Sequence, residues 1–131
     1  MAPLITLDRI VSIEPGKGAK ALRNVPTTLA IFDTHFPRKP VLPGVLIIGS
    51  LGELAAALLQ EQTGRPWRLA SLARVSFRHF VQPGDQMELT VELKDLADDL
   101  ATFAASVRVE GKLVTSIRQL RMAPANRRTG E

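Results

Sequence analysis

Residues 44–62 contain no proline, and Val45, Leu46, Ile47, Ile48, Leu51, Leu54 and Ala55 through Leu59 leave few polar positions around a helix. A helix that is apolar nearly all the way round must be buried by the rest of its fold. At about 1.5 Å per residue it spans roughly 28 Å, and Gly64 is placed to end it. The flanking chain alternates with the period of strands. Residues 6–13 set Leu7, Arg9, Val11 and Ile13 against Asp8, Ile10 and Ser12, as in a half-buried strand, and residues 19–25 read as its hairpin partner after Glu14-Pro15-Gly16. Residues 67–77, 86–93, 101–109 and 112–122 alternate likewise, with turns at VQPGD, LADDL and EGK. Between the first hairpin and the helix, residues 26–43 hold four prolines and read as a rigid loop. One buried helix among about six strands predicts an α+β fold in which a curved antiparallel sheet wraps one long central helix.

A chain of 131 residues makes a single domain, expected over residues 1–123, with the polar PANRRTGE of residues 124–131 as a flexible tail. With 45% apolar and 23% charged residues the chain has the means to bury a core. The absence of cysteine excludes a disulfide scaffold, a thiol nucleophile and any thiolate metal site, and only two histidines remain as nitrogen ligands, so no metal is expected. Asp8 and Arg9 interrupt the start too early for a secretory signal, and no uncharged run reaches the roughly 18 residues of a membrane span. The expectation is a cytoplasmic protein without a membrane partner. Net charge is +4, aromatics are 5%, tyrosine is absent and the basic residues are scattered, a pattern that argues against nucleic acid. Arg65, Arg68, Arg74 and Arg78, with Arg38 and Lys39, suit either steering of an acidic protein or a solvated face. Asp95, Asp98 and Asp99 read as solubilising charge at a turn.

Chemistry is best placed at the start of the helix. Gly44 follows Pro43, and the first backbone N–H groups of a helix are unpaired and carry the positive end of its dipole. His35 lies nine residues earlier, in a loop stiffened by Pro37, Pro40 and Pro43. The pair suits either a base beside an oxyanion site or a structural histidine in a proline-rich loop. His79 reads as a surface or packing residue.

The segment HFPRKPVLPGVLIIG resembles the active-site motif of the 3-hydroxyacyl-acyl carrier protein dehydratases of bacterial fatty acid synthesis. That motif reads His-Phe-Pro-Gly-x-Pro, then Pro-Gly-Val-Leu, then an acidic residue. LDRIVSIEPGKGAKALRNV is similar to the family's opening hairpin, and ARVSFRHFVQPGDQMELTVEL to its later strand, turn and strand, so the resemblance covers roughly residues 4–122. It implies the hot dog fold and a dimer with two sites at its interface. It makes His35 the catalytic histidine and Gly44 the residue whose backbone N–H holds the thioester carbonyl. Phe36, Leu42, Pro43, Val45 and Leu46 would then either line the acyl path or serve simply as core, and Arg38, Lys39, Arg74 and Arg78 would meet the acyl carrier protein. No cofactor is implied, because the phosphopantetheine arm belongs to the substrate's carrier. The family's acid lies fourteen residues after the histidine on the central helix of the other subunit, and here that position is Gly49. Thr34 and Arg38 replace the glycines on either side of His-Phe-Pro.

Elimination of water from a 3-hydroxyacyl thioester needs a base for the α-proton and an acid for the departing hydroxyl, each typically contributing about 10²- to 10⁴-fold. Three readings answer the loss at Gly49. A related subunit brings the carboxyl, making a heterodimer; or Glu53, four residues on and on the same helix face, takes over from a position where the family usually has Gln. Alternatively the chain is a silent hot dog module that binds an acyl chain or carrier protein or stabilises a partner. Thioesterases also occur on this fold, so fold alone does not decide.

Overall fold

The structure, a computed structural model, describes residues 7–25 and 42–125. Strands β1 (Arg9–Glu14) and β2 (Gly18–Asn24) form a hairpin, followed by helix α1 (Gly44–Thr63). Strands β3 (Trp67–Phe77), β4 (Gln86–Leu96), β5 (Ala101–Val109) and β6 (Lys112–Pro124) complete the described chain. All pairings are antiparallel, and the strand order is β1-β2-β4-β5-β6-β3. The strand that follows the helix therefore goes to the far edge of the sheet, and β4 returns to pair with β2. Register shifts in the β1/β2, β3/β6, β4/β5 and β5/β6 ladders supply the local bends by which a sheet curves around a helix.

The core is the concave face of this sheet closed on one side of α1. Ile47, Leu51, Leu54, Ala55, Leu58 and Leu59 from the helix are buried with Ala19 and Ala21 of β2 and Met87, Leu89 and Val91 of β4. Phe103 of β5 and Ile117, Leu120 and Met122 of β6 complete that layer. By length and composition alone α1 is apolar enough to cross a membrane, but here it is the core helix that the sheet wraps.

The helix ends as the residues dictate. Gly64 adopts the left-handed conformation at φ 78° and its N–H donates to the Gln60 carbonyl at 2.9 Å. A side chain there meets the left-handed penalty, so Gly64→Ala is expected to cost roughly 1–2 kcal/mol in urea unfolding. The next strand is tied to this end. Thr63 Oγ1 donates to the Leu59 carbonyl and accepts from Trp67 Nε1 at 2.9 Å, while the Arg65 guanidinium lies 5.0 Å over the Trp67 ring.

Three expectations need adjustment. β1 is not half-buried: Ile10 and Val11 are 41% and 49% exposed, because the bulge between Ile10 and Ser12 breaks the alternation. α1 is not covered on all sides, since Val45 is 71% exposed and Gly49, Glu53 and Ala56 are only half-buried. β4 and β6 run further than their patterns suggest, to Leu96 and Pro124. Leu96 still pairs with Ala101 and Pro124 with Trp67.

Candidate active site

Pro43 caps α1, and its carbonyl accepts the first helical bond, from Leu46 N–H at 3.0 Å. The N–H of Gly44 therefore lies ahead of the intrahelical ladder, at the positive end of the dipole. No side chain caps this end and no acidic residue occupies its first turn, so nothing on the helix itself quenches that field. Leu42 anchors the approach by donating its N–H to the Val81 carbonyl at 2.6 Å. Phe77, the last residue of β3, lies across the helix start: a Cβ on residue 44 would stand 2.8 Å from its Cζ. Glycine at 44 is thus what lets strand and helix start meet. Pro43 and Leu46 are half-buried beside it, whereas Val45, Phe77 and Phe80 leave large apolar surface exposed. His35, Phe36, Arg38 and Lys39 lie outside the described residues.

Further along the same helix, Gly49, Gly52, Glu53 and Ala56 line a cavity of about 350 Å³ with Trp67, Arg68, Leu69 and Met122. Its walls are mostly apolar. Glu53 is the one carboxyl among these lining residues, and its Oε1 is buried without a hydrogen-bond partner among the described residues. Burial raises the Glu53 pKa above the usual carboxylate value, while a hydrogen bond from the Leu7 backbone and the charge of Arg23 pull it back.

Sequence reasoning missed Arg23. It extends from β2 into the interior at 5% exposure, and its Nη1 donates to Ser50 Oγ at 3.5 Å. Burial lowers its pKa, opposed by Asp8 and Glu53. The signal was present in β2, where period two puts Arg23 on the face of Ala19 and Ala21. A lone cation on an apolar strand face calls for a buried partner.

The carboxyl has a consequence for stability. A folded-state pKa raised above the unfolded value means that the native state binds more protons in the interval between the two. Stability is therefore greatest below the ordinary carboxylate pKa and falls as pH rises through the folded value. Glu53→Gln should remove this component, flattening the pH dependence of urea midpoints above the ordinary carboxylate pKa and stabilising the protein where Glu53 would be ionised.

The remaining basic residues are spread out. Arg74 is exposed on β3 with φ 60°, Arg78 is exposed beyond it, Arg65 is occupied with Trp67 and the Asp98 carbonyl, and Arg68 reaches the cavity. His79 is exposed. Among the described residues no cluster of His, Asp and Glu is arranged to hold a metal ion.

The family model for ApeI-like proteins, described as ApeI dehydratase, matches residues 13–118. The chain belongs to the ApeI-like dehydratase family. Curated relatives of the chain include the 3-hydroxyacyl-[acyl-carrier-protein] dehydratase FabZ of Burkholderia cenocepacia, 37% identical over 117 residues. That alignment covers 85% of this chain and 76% of the relative. FabZ of Nitrosomonas europaea is 36% identical over 129 residues, covering 94% and 84%. Among solved structures, the dehydratase heterocomplex ApeI:P from Xenorhabdus doucetiae is similar with a TM-score of 0.77 at 10% identity, covering 97% of this chain and 88% of that one. A Streptococcus mutans protein bound to acetyl CoA has a TM-score of 0.74 at 12% identity, covering 98% and 95%. These likenesses establish the hot dog fold for the ApeI-like chain, the sheet around a central helix that its sequence implies.

Proposed function

We propose that this chain is a dehydratase subunit that eliminates water from a 3-hydroxyacyl thioester in fatty acid or polyketide assembly, the acyl group being carried on the phosphopantetheine of an acyl carrier protein. His35 takes the α-proton, the Gly44 N–H receives the charge that develops on the thioester carbonyl, and a carboxyl on the central helix of a paired subunit protonates the leaving hydroxyl. These steps are proton transfers beside a polarised carbonyl and call for no cofactor of the protein's own.

The observation that carries the reading is the start of α1: an uncapped helix terminus at a glycine, within a chain of the dehydratase family. Pairing is supported by β3. It is an eleven-residue edge strand with a neighbour on one side only among the described residues, and such an edge invites a partner strand. A heterodimer with a related subunit is supported by Gly49, which brings no acid, and by the structural neighbour's being a dehydratase heterocomplex. In that pair His35 and Gly44 of this chain meet the partner's carboxyl. Phe36, Pro43, Val45 and Leu46 line the acyl path, and Arg38, Lys39, Arg74 and Arg78 receive the acidic carrier protein. The location is cytoplasmic.

The test is His35→Ala in the assembled complex, assayed by hydration of a crotonyl carrier-protein thioester. Loss of a positioned base should cost about 10²- to 10⁴-fold. Undiminished turnover would instead identify the chain as a silent binding or stabilising module, and release of free acid would identify a thioesterase.

A further inference from the structure

Two phenylalanines outside the core face solvent where β3 ends. Phe77 and Phe80 leave half or more of their rings exposed and forgo what burial would contribute, and apolar surface kept in water at one place marks a surface that takes up something else. With Arg78 and His79 they line a groove of about 350 Å³. Phe77 ties this groove to the start of α1, since a Cβ on Gly44 would stand 2.8 Å from its Cζ. The groove is also polar. Arg78 brings a permanent positive charge and His79 a ring N–H, and among the described residues neither side chain has a hydrogen bond or an ion pair. The Arg78 backbone is anchored, its N–H donating to the Val114 carbonyl at 2.8 Å, so the guanidinium is carried from a fixed point. No acidic residue lines this groove. On the other side of Phe80 a second groove sets Asp85 and Glu110 against Lys112. Charge therefore directs an anion to the Arg78 side of Phe80.

We propose that this groove seats a phosphopantetheine arm, whose phosphate meets Arg78 and His79 while its carbons pack on Phe77 and Phe80 and its thioester reaches the Gly44 N–H. The inference rests on the dehydratase reading and names the residues that hold the substrate's arm. Such an arm matches the chemistry of the groove, because an uncharged run of carbons and amides joins a thioester at one end to a phosphate at the other. An aromatic pair covers the carbons with broad apolar faces, and a guanidinium pairs with phosphate oxygens in two-point geometry. An acyl chain by itself needs no cation, and an acidic protein surface by itself needs no exposed aromatic pair beside Gly44. The phosphate is the point at which the arm joins its carrier, so Arg78 stands at the boundary between arm and carrier protein. Coenzyme A bears the same arm, and the groove accepts it from either source.

Binding to the full chain is measured by calorimetry with crotonyl pantetheine, crotonyl phosphopantetheine, crotonyl coenzyme A and crotonyl carrier protein, and urea unfolding checks that each variant is folded. The phosphorylated arm should bind about tenfold more tightly than the unphosphorylated one, the scale of a charge-assisted hydrogen bond. Arg78→Ala/His79→Ala should abolish that preference, whereas Phe80→Ala should weaken both arms alike, by about fivefold, through lost apolar contact. Lys112→Ala, on the acidic side of Phe80, should keep the preference. The coenzyme A and carrier-protein thioesters should lose affinity together in Arg78→Ala/His79→Ala. No preference for the phosphate, a preference that survives the loss of Arg78 and His79, or one that Lys112→Ala removes instead overturns the proposal. Sensitivity confined to the carrier-protein thioester also overturns it and assigns Arg78 to the carrier's protein surface. Each of these results leaves the dehydratase reading standing, which falls separately if hydration by the assembled complex is indifferent to His35→Ala.

Discussion

Gly49→Glu is expected to raise crotonyl carrier-protein hydration by the purified chain about 10²- to 10⁴-fold, the range that a positioned general acid contributes. Position 49 is half-buried on α1 and lines a cavity whose walls are mostly apolar, so a carboxyl introduced there is presented at that cavity. An apolar site disfavours its ionised form and keeps it available as a donor. The other components are supplied by the resemblance at His35 and by the helix terminus at Gly44, and neither is altered. Rates of the unmodified and substituted chains at equal dimer concentration measure the effect. A gain of less than about tenfold would mean that position 49 does not face the reacting hydroxyl.

Phe103→Ala should be the most damaging single change to the fold, costing about 3–5 kcal/mol in urea or thermal unfolding. Phe103, the third residue of β5, is fully buried in the core and is the largest of the fully buried side chains among the described residues. Its removal takes apolar surface from the contact between α1 and the sheet and leaves a cavity that β4 and β6, paired on either side, cannot collapse to fill. Phe80 is a control on the same chemistry. At 79% exposure, Phe80→Ala should change stability by less than about 0.5 kcal/mol in the isolated chain. A comparable loss at both positions would contradict the assignment of the core.

Much of this architecture is legible because its signals are local. Pro43 and Gly64 bracket α1 through a missing donor and a left-handed turn, and β3 and β5 fall where period two places them. The β1 bulge is not legible, since an extra residue at Val11 leaves no mark in composition. Nor does an apolar helix reveal what covers it. Val45 and Leu51 look alike in sequence, yet one is 71% exposed and the other fully buried, because the sheet closes on one side of α1 only. The site divides the same way. Gly44, Gly49 and Glu53 follow from motif and helical spacing, whereas the burial of Arg23 behind Glu53 depends on how β2 packs against α1, a contact between residues far apart in the chain. Its charge would have passed for surface charge on any other strand face.

The central claim is that the acid and the base of one site come from different subunits, and subunit mixing tests it most directly. A double variant, His35→Ala/Gly49→Glu, has the new carboxyl but no base, and the unmodified chain has the base but no carboxyl at 49. Dissociated, mixed and reassociated, the two should form pairs in which His35 of one chain faces the new Glu of the other. Hydration activity should then appear at the level of one complete site per mixed pair, well above the sum of the separate chains. A mixture no more active than its components, with Gly49→Glu itself active, would place base and acid in a single chain and contradict the shared site.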